Sequence, residues 1–339
     1  MRVCTATQMT AIDRETIAGG VPGIELMERA GAALAEAALA MLAEVADDHG
    51  CGHGHADETD PPHLLIVSGK GNNGGDGLVM ARLLAAEDVA VTVLLLAAPG
   101  ELAPDAAANH TRLPAAVRVV TPPAEEWAEV AGGLAGAADL VVDAVFGTGI
   151  TPPLRGPYPD LFRALNDAGR PCLAVDVPSG VAGDDGRVDP VAVAADRTVT
   201  VGLVKRGLLL PPGRDFAGEI EVADIGFPAE ICARHAGSEH WLTREDYLAL
   251  LPPRRSWSHK YQCGTVLVVA GSRAFGGAAH LAGLGALRSG AGLVTMVVPT
   301  CIELPIRVGL PEAIVAAVGE TENGTIAPLA SQAFAALLG

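Results

Sequence analysis

The strongest constraint on the fold is an alternation that begins near residue 63. Short runs rich in β-branched residues, at 64–67, 89–96, 117–120, 140–145 and 171–177, take turns with Ala-rich stretches of helical spacing at 77–86, 105–113, 124–134 and 159–168. Apart from Thr92, Arg118, Asp143 and Asp176, the runs are apolar at successive rather than alternate positions. Such strands are buried on both faces, which requires a parallel sheet with helices on each side. The expected fold class is therefore α/β, a doubly wound parallel sheet, with 198–201 and 220–222 as further strands. Upstream, Met9, Ile12, Ile17, Leu26, Met27, Leu34 and Leu39 have helical spacing, divided by the glycines and proline at 19–23.

The first domain is expected to span 1–228, closing at Ile225-Gly226-Phe227-Pro228. Residues 229–258 read as a connector ending in Pro252-Pro253-Arg254-Arg255-Ser256. A second β-α-β texture follows within 259–339: strand 265–270, helix 278–289, strand 293–298. That is one or two βα units, fewer than a doubly wound domain uses, so the second domain is expected to be incomplete.

Charge excludes several classes. The 339 residues carry 23 basic and 40 acidic side chains, a net charge of -17. A chain this acidic lacks the footprint of a general nucleic-acid binder or of a protein held to anionic lipid. No run of apolar residues is long enough to span a bilayer, and the N-terminus has no basic segment before an apolar one. Cys4, Cys51, Cys172, Cys232, Cys263 and Cys301 are scattered, without a CxxC pair, and read as reduced thiols. The expectation is a cytoplasmic protein without nucleic-acid or membrane partners; homo-oligomerisation stays open.

Gly69-Lys70-Gly71-Asn72-Asn73-Gly74 matches the G-x-G-x-x-G pattern between a strand and a helix. An ordinary dinucleotide site would also need an acid at the end of the next strand, and Leu94-Leu95-Leu96-Ala97-Ala98 has none. The loop continues as Gly75-Asp76-Gly77, placing a carboxylate where a pyrophosphate would sit. At a helix N-terminus that carboxylate gains roughly 0.3–1 kcal/mol from the dipole and repels phosphate. The loop reads as a source of amide and carboxylate oxygens for a polar ligand or a cation. Two more runs end in acids, Asp143 before Ala144-Val145-Phe146-Gly147-Thr148-Gly149 and Asp176 before Val177-Pro178-Ser179-Gly180. In a parallel sheet the three loops would converge on one cleft at the carboxyl ends of the strands.

The segments GKGNNGGDG (69–77), DAVFGTG (143–149) and DVPSG (176–180), with Leu26-Met27-Glu28-Arg29-Ala30-Gly31 before them, resemble the NAD(P)H-hydrate epimerase domain over roughly residues 1–228. The resemblance implies a Rossmann-like fold and a small-molecule substrate, hydrated NADH or NADPH (NADHX, NADPHX), whose R and S forms are interconverted at nicotinamide C6. It implies that Asn72, Asn73, Gly74, Gly75 and Asp76 line the substrate site, that Gly147, Thr148, Gly149, Ile150, Thr151, Pro152 and Pro153 wrap the substrate with Tyr158, and that Asp176 is the catalytic residue. It further implies a potassium ion, K+, held by Asn73, Asp143 and Ser179. The oxygen-rich loops suit such a cation. The stretch 147–153 lacks the charged side chain some relatives carry, so no basic catalytic residue is expected from it.

His259-Lys260-Tyr261-Gln262-Cys263-Gly264, with Gly277-Ala278-Ala279, Ser289-Gly290-Ala291-Gly292 and Pro311-Glu312, resembles the start of the NAD(P)H-hydrate dehydratase domain. That resemblance implies a ribokinase-like fold, ADP or ATP with Mg2+ (magnesium), and a substrate contact at Ala278. The later phosphate-contacting and catalytic-aspartate loops of that family do not occur in these 339 residues, so a truncated domain without dehydratase activity is expected. Two other readings remain: a nicotinamide-dependent oxidoreductase, and a non-catalytic nucleotide-binding protein.

Three features are expected to be uninvolved. His49-Gly50-Cys51-Gly52-His53-Gly54-His55 reads as a solvated insertion that binds metals only adventitiously, Lys205-Arg206-Gly207 as a basic turn that could reach phosphates but is as often simply solvated, and Trp127, Trp241 and Trp257 as packing residues.

Overall fold

The computed structural model describes residues 1–49, 61–150 and 152–328. The chain divides into two units, Met1–Arg244 and Glu245–Gly339, and the division falls inside the stretch 229–258 read as a connector.

The first unit is built on seven parallel strands: β2 (His63–Ser68), β3 (Ala90–Leu95), β4 (Arg118–Val120), β5 (Leu140–Ala144), β6 (Cys172–Val175), β7 (Arg197–Val201) and β9 (Glu219–Ala223). Their order across the sheet is β4-β3-β2-β5-β6-β7-β9. The chain winds outward from β2 through β3 to β4, then returns to β5 and winds the other way. The order therefore reverses between β2 and β5, the position where open α/β sheets leave a crevice.

Both faces are covered, as the continuous apolar runs require. Leu64 and Ile66 of β2 pack with α2 (Gly23–His49), α3 (Asn72–Leu84) and α4 (Pro104–Thr111). Leu65 and Val67 pack on the other face with α5 (Trp127–Gly136) and α6 (Tyr158–Asp167). Leu161, Phe162 and Leu165 of α6 are all buried, and each such side chain contributes roughly 1.5–3 kcal/mol. Helices α2 and α3 approach closely because Gly31 has no side chain, since a Cβ there would collide with Val79.

Helix α1 (Ala6–Ala18) opens on a capping box, with Gln8 N donating to Thr5 Oγ1 and Thr5 N donating to Gln8 Oε1. It ends at Gly19, and Gly20 turns the chain at φ 104°. A short parallel pair, β1 (Val3–Cys4) with β8 (Val204–Lys205), ties the N-terminus to the segment after β7. Residues 229–241, expected in the connector, belong with this unit. Helix Ala229–His235 packs on α1 through Glu15, which pairs with Arg234 and His235, and Trp241 N donates to Met1 O.

The second unit holds three parallel strands in the order β10 (Thr265–Val269), β11 (Leu293–Pro299), β12 (Ile314–Val318). Helices Gly276–Arg288 and Glu303–Gly309 connect them. Ala279, Met296, Val298, Ile306 and Leu310 form its core. The third strand was not expected from the sequence, because its short run Ile314–Val318 resembles any other buried apolar segment. Among the described residues no helix is long and apolar enough to cross a membrane.

Candidate active site

A cavity of about 560 Å³ lies at the carboxyl ends of β2, β5 and β6. The loops after these three strands supply Gly69 to Asn73, Val145 to Ile150, and Asp176 to one lining, as the strand-end acids implied. Helices α1 and α2 form another wall with Asp13, Ile17, Met27 and Ala30.

The glycine-rich segment is not the loop expected. Gly71 is the N-cap and α3 begins at Asn72, five residues before the expected start at 77. Its glycines permit close packing: a Cβ on Gly69 would strike the Val145 carbonyl, and one on Gly75 would lie 2.6 Å from Met27 Cε. Asp76 is consequently in the second turn, beyond the free N–H groups of the helix end. The dipole argument for its carboxylate fails. Burial instead raises the Asp76 carboxyl well above the usual range, helped by the charges of Asp176 and Asp13 and opposed by Lys205.

Asp176 leaves β6 in the left-handed region, φ 67°. Its Oδ1 accepts three hydrogen bonds: from Lys205 Nζ at 2.5 Å, Val201 N at 3.1 Å and Thr200 Oγ1 at 3.2 Å. Lys205 Nζ also donates to Val201 O at 2.6 Å, and the lysine is 1% exposed. The expectation of a solvated basic turn is overturned. Pairing of β8 with β1 buries Lys205, and its cation is neutralised inside the site. Two-residue strands two hundred positions apart leave no periodic signal. The question that would have found Lys205 is which cation faces Asp176.

The other oxygen, Oδ2, faces Gly147. A Cβ on Gly147 would lie 3.2 Å from Asp176 Oδ2 and 3.0 Å from Asn73 Oδ1. The two side chains therefore converge over one glycine. Asn73 Nδ2 is buried without a partner among the described residues.

Asp143 and Ser179 lie behind this lining. Asp143 is 0% exposed. Ser179 N donates to Asp143 Oδ2 at 2.6 Å, Ser179 Oγ to Oδ1 at 2.6 Å, and Val145 N to Oδ1 at 3.2 Å. Phe146 N in turn donates to Ser179 Oγ at 2.8 Å, which locks the loop after β5 onto the loop after β6. Burial raises the Asp143 pKa to about 6 against the lowering effect of these bonds. Among the described residues no basic side chain pairs with Asp143.

Of the remaining sequence candidates, Asn72, Thr148, Gly149 and Tyr158 line the cavity. Gly74, Pro152 and Pro153 are outside its lining, as is Gly75. Thr151 lies outside the described residues. Ala278 belongs to the second unit, exposed near the start of helix Gly276–Arg288. The tract 50–55 lies outside the described residues; Trp127 packs on Tyr158 with ring centres 5.3 Å apart, whereas Trp257 is exposed.

The family described as YjeF-related protein N-terminus matches residues 23–207, and that described as NAD(P)H-hydrate dehydratase matches 266–339. The chain is 38% identical over 328 residues to the bifunctional NAD(P)H-hydrate repair enzyme Nnr of Thermofilum pendens, covering 96% of this chain and 59% of that protein. The protein of the same name from Moorella thermoacetica is 36% identical, again covering 96% and 59%. The chain thus spans about three fifths of the length of these relatives. A crystal structure of yeast ynu0, YNL200c, matches with a TM-score of 0.56 at 22% identity, covering 73% of this chain and 98% of that one. At that identity the likeness speaks for the fold alone.

Proposed function

We infer, from the premise that this chain belongs to the YjeF-related N-terminus family, that its first unit epimerises hydrated NADH and NADPH at nicotinamide C6. The single observation that carries the reading is the split use of the Asp176 carboxylate. Oδ1 is held by Lys205, Val201 and Thr200, while Oδ2 faces the cavity beside Asn73.

C6 of the hydrate bears both a hydroxyl and the ring nitrogen, so inversion needs no redox step. The hydroxyl is lost and regained, or the ring opens and recloses; either route needs a group that takes a proton and returns it. Asp176 Oδ2 is that group in our reading, a role worth typically about 10²–10⁴-fold. Lys205 fixes the carboxylate's orientation. Asn73 positions the substrate, and Asn72, Thr148, Gly149, Ile150 and Tyr158 enclose it.

The donor set fits a potassium ion. Asp143 is a buried carboxylate without a basic partner among the described residues; it accepts from the Ser179 hydroxyl and from two backbone N–H groups, none of which carries a neutralising charge. Ser179 Oγ donates to Asp143 and accepts from Phe146, leaving one lone pair. Asn73, Asp143 and Ser179 would hold the ion, which when bound supplies the missing positive charge. For the second unit, the match over 266–339 supports kinship with a domain that acts on the S form with ADP or ATP and Mg2+, and in our reading this stretch, without that family's later loops, does not dehydrate the hydrate by itself.

The test gives purified protein the R hydrate and follows the S form by chiral separation, in KCl and in choline chloride. Equilibration that is faster in KCl supports both the activity and the ion. Failure to equilibrate removes the epimerase reading, and spectral change with NAD and a reducible substrate would favour the oxidoreductase.

A further inference from the structure

Asn109, on α4, is 0% exposed. Its Nδ2 donates to Met27 Sδ at 3.2 Å and to Asp105 O at 3.1 Å. Both recipients line the cavity, Met27 from α2 and Asp105 from the first turn of α4. Asn109 Oδ1 is buried and has no partner among the described residues.

This is an expensive arrangement. A buried acceptor without a partner costs about 1–3 kcal/mol, and leucine of similar shape would carry no such cost. Turning the amide over does not help, because its oxygen would then face two acceptors. Nor does the bond to Met27 compensate, since a thioether is a weak acceptor. What the amide does provide is a fixed place for a methionine with three rotatable bonds. Met27 is held on its other side by the close approach of Gly75, where a Cβ would lie 2.7 Å from Sδ.

We propose that Asn109 is a positioning residue for the epimerase site, pinning the Met27 thioether and the Asp105 backbone so that the cavity wall from α2 and α4 keeps the shape that seats the hydrate. The proposal rests on the epimerase reading for its substrate, but not for its geometry.

The test compares wild type, N109L, M27L and the double variant by kinetics, thermal unfolding and NMR of 13C-methyl-labelled methionine. M27L identifies the Met27 resonance by its loss. N109L is expected to be at least as stable as wild type, with the Met27 methyl signal moved toward its rotationally averaged position. Its KM for the hydrate rises roughly tenfold, with a smaller change in kcat. M27L raises KM similarly, and the double variant is no worse than either single, because both remove one interaction. An unmoved Met27 signal in N109L overturns the proposal. So does an N109L protein whose activity loss merely tracks its loss of stability, or an M27L protein with wild-type KM. If wild type itself fails to equilibrate the hydrates, the epimerase reading falls, while the NMR arm still decides whether Asn109 pins Met27.

Discussion

Lys205 Nζ and Asp176 Oδ1 stand 2.5 Å apart, the lysine 1% and the aspartate 14% exposed. Both residues line the cavity, and the pair divides the carboxylate into a bonded oxygen and an available one.

Removing either partner has a different signature. D176N is expected to fold with reduced stability, because it leaves the Lys205 cation buried without its counter-ion, and to lose about 100-fold or more in turnover, since the amide cannot cycle a proton. K205M leaves Asp176 without its cation and is expected to cost roughly 2–4 kcal/mol, somewhat below a fully buried pair because Asp176 retains some solvent contact. The double variant D176N/K205M should recover part of that loss. Denaturant unfolding of the three proteins checks the order, and a K205M protein as stable as wild type would refute the burial argument.

Gly147 is the point where Asn73 and Asp176 meet. G147A inserts a methyl group between their oxygens. Turnover is expected to fall at least about tenfold with little change in melting temperature, because the added group enters the cavity rather than the core. Retained activity in G147A would mean that substrate does not pass between these two oxygens.

Asp143 gives a pH signature. Its folded pKa is raised to about 6 by burial, above its unfolded value of about 3.9. The folded state therefore binds the extra proton between these values, and stability falls as pH rises from about 4 to 6, by an order of roughly 3 kcal/mol. KCl should restore stability above pH 6 and do nothing near pH 4. Melting curves of wild type and D143N, each in KCl and in choline chloride, check this. D143N should lack both the slope and the potassium effect.

The glycines of the 69–74 pattern should not be equivalent. Gly69 packs against the Val145 carbonyl, whereas a side chain on Gly71 would meet nothing. G69A is expected to destabilise by about 1–3 kcal/mol or more, as overpacking does, and G71S to change stability little. Equal effects would contradict the packing role assigned to Gly69.

Much of the fold was legible in the sequence. The inner strands β2, β3, β5 and β6 came from largely apolar runs, and the acids Asp143 and Asp176 from their positions at strand ends. What was not legible depended on contacts between distant segments. Lys205 looked solvated until β1 covered it. The Asn72 start of α3 was hidden because glycine-rich sequence reads as loop, although tertiary packing on Met27, Val145 and Ser68 makes glycine the residue that fits. Asp13 and Asp105, which also line the cavity, carried no sequence signal because isolated acids on helices usually face water.

The left-handed backbone of Asp176 also limits how this site can be lost. Most side chains pay about 1–2 kcal/mol in that conformation, while asparagine and glycine pay less. A descendant that discards the chemistry but keeps the architecture should therefore carry Asn or Gly at 176. Such a replacement, joined to loss of the Lys205 charge, would leave an inert but well-folded copy that keeps the cavity.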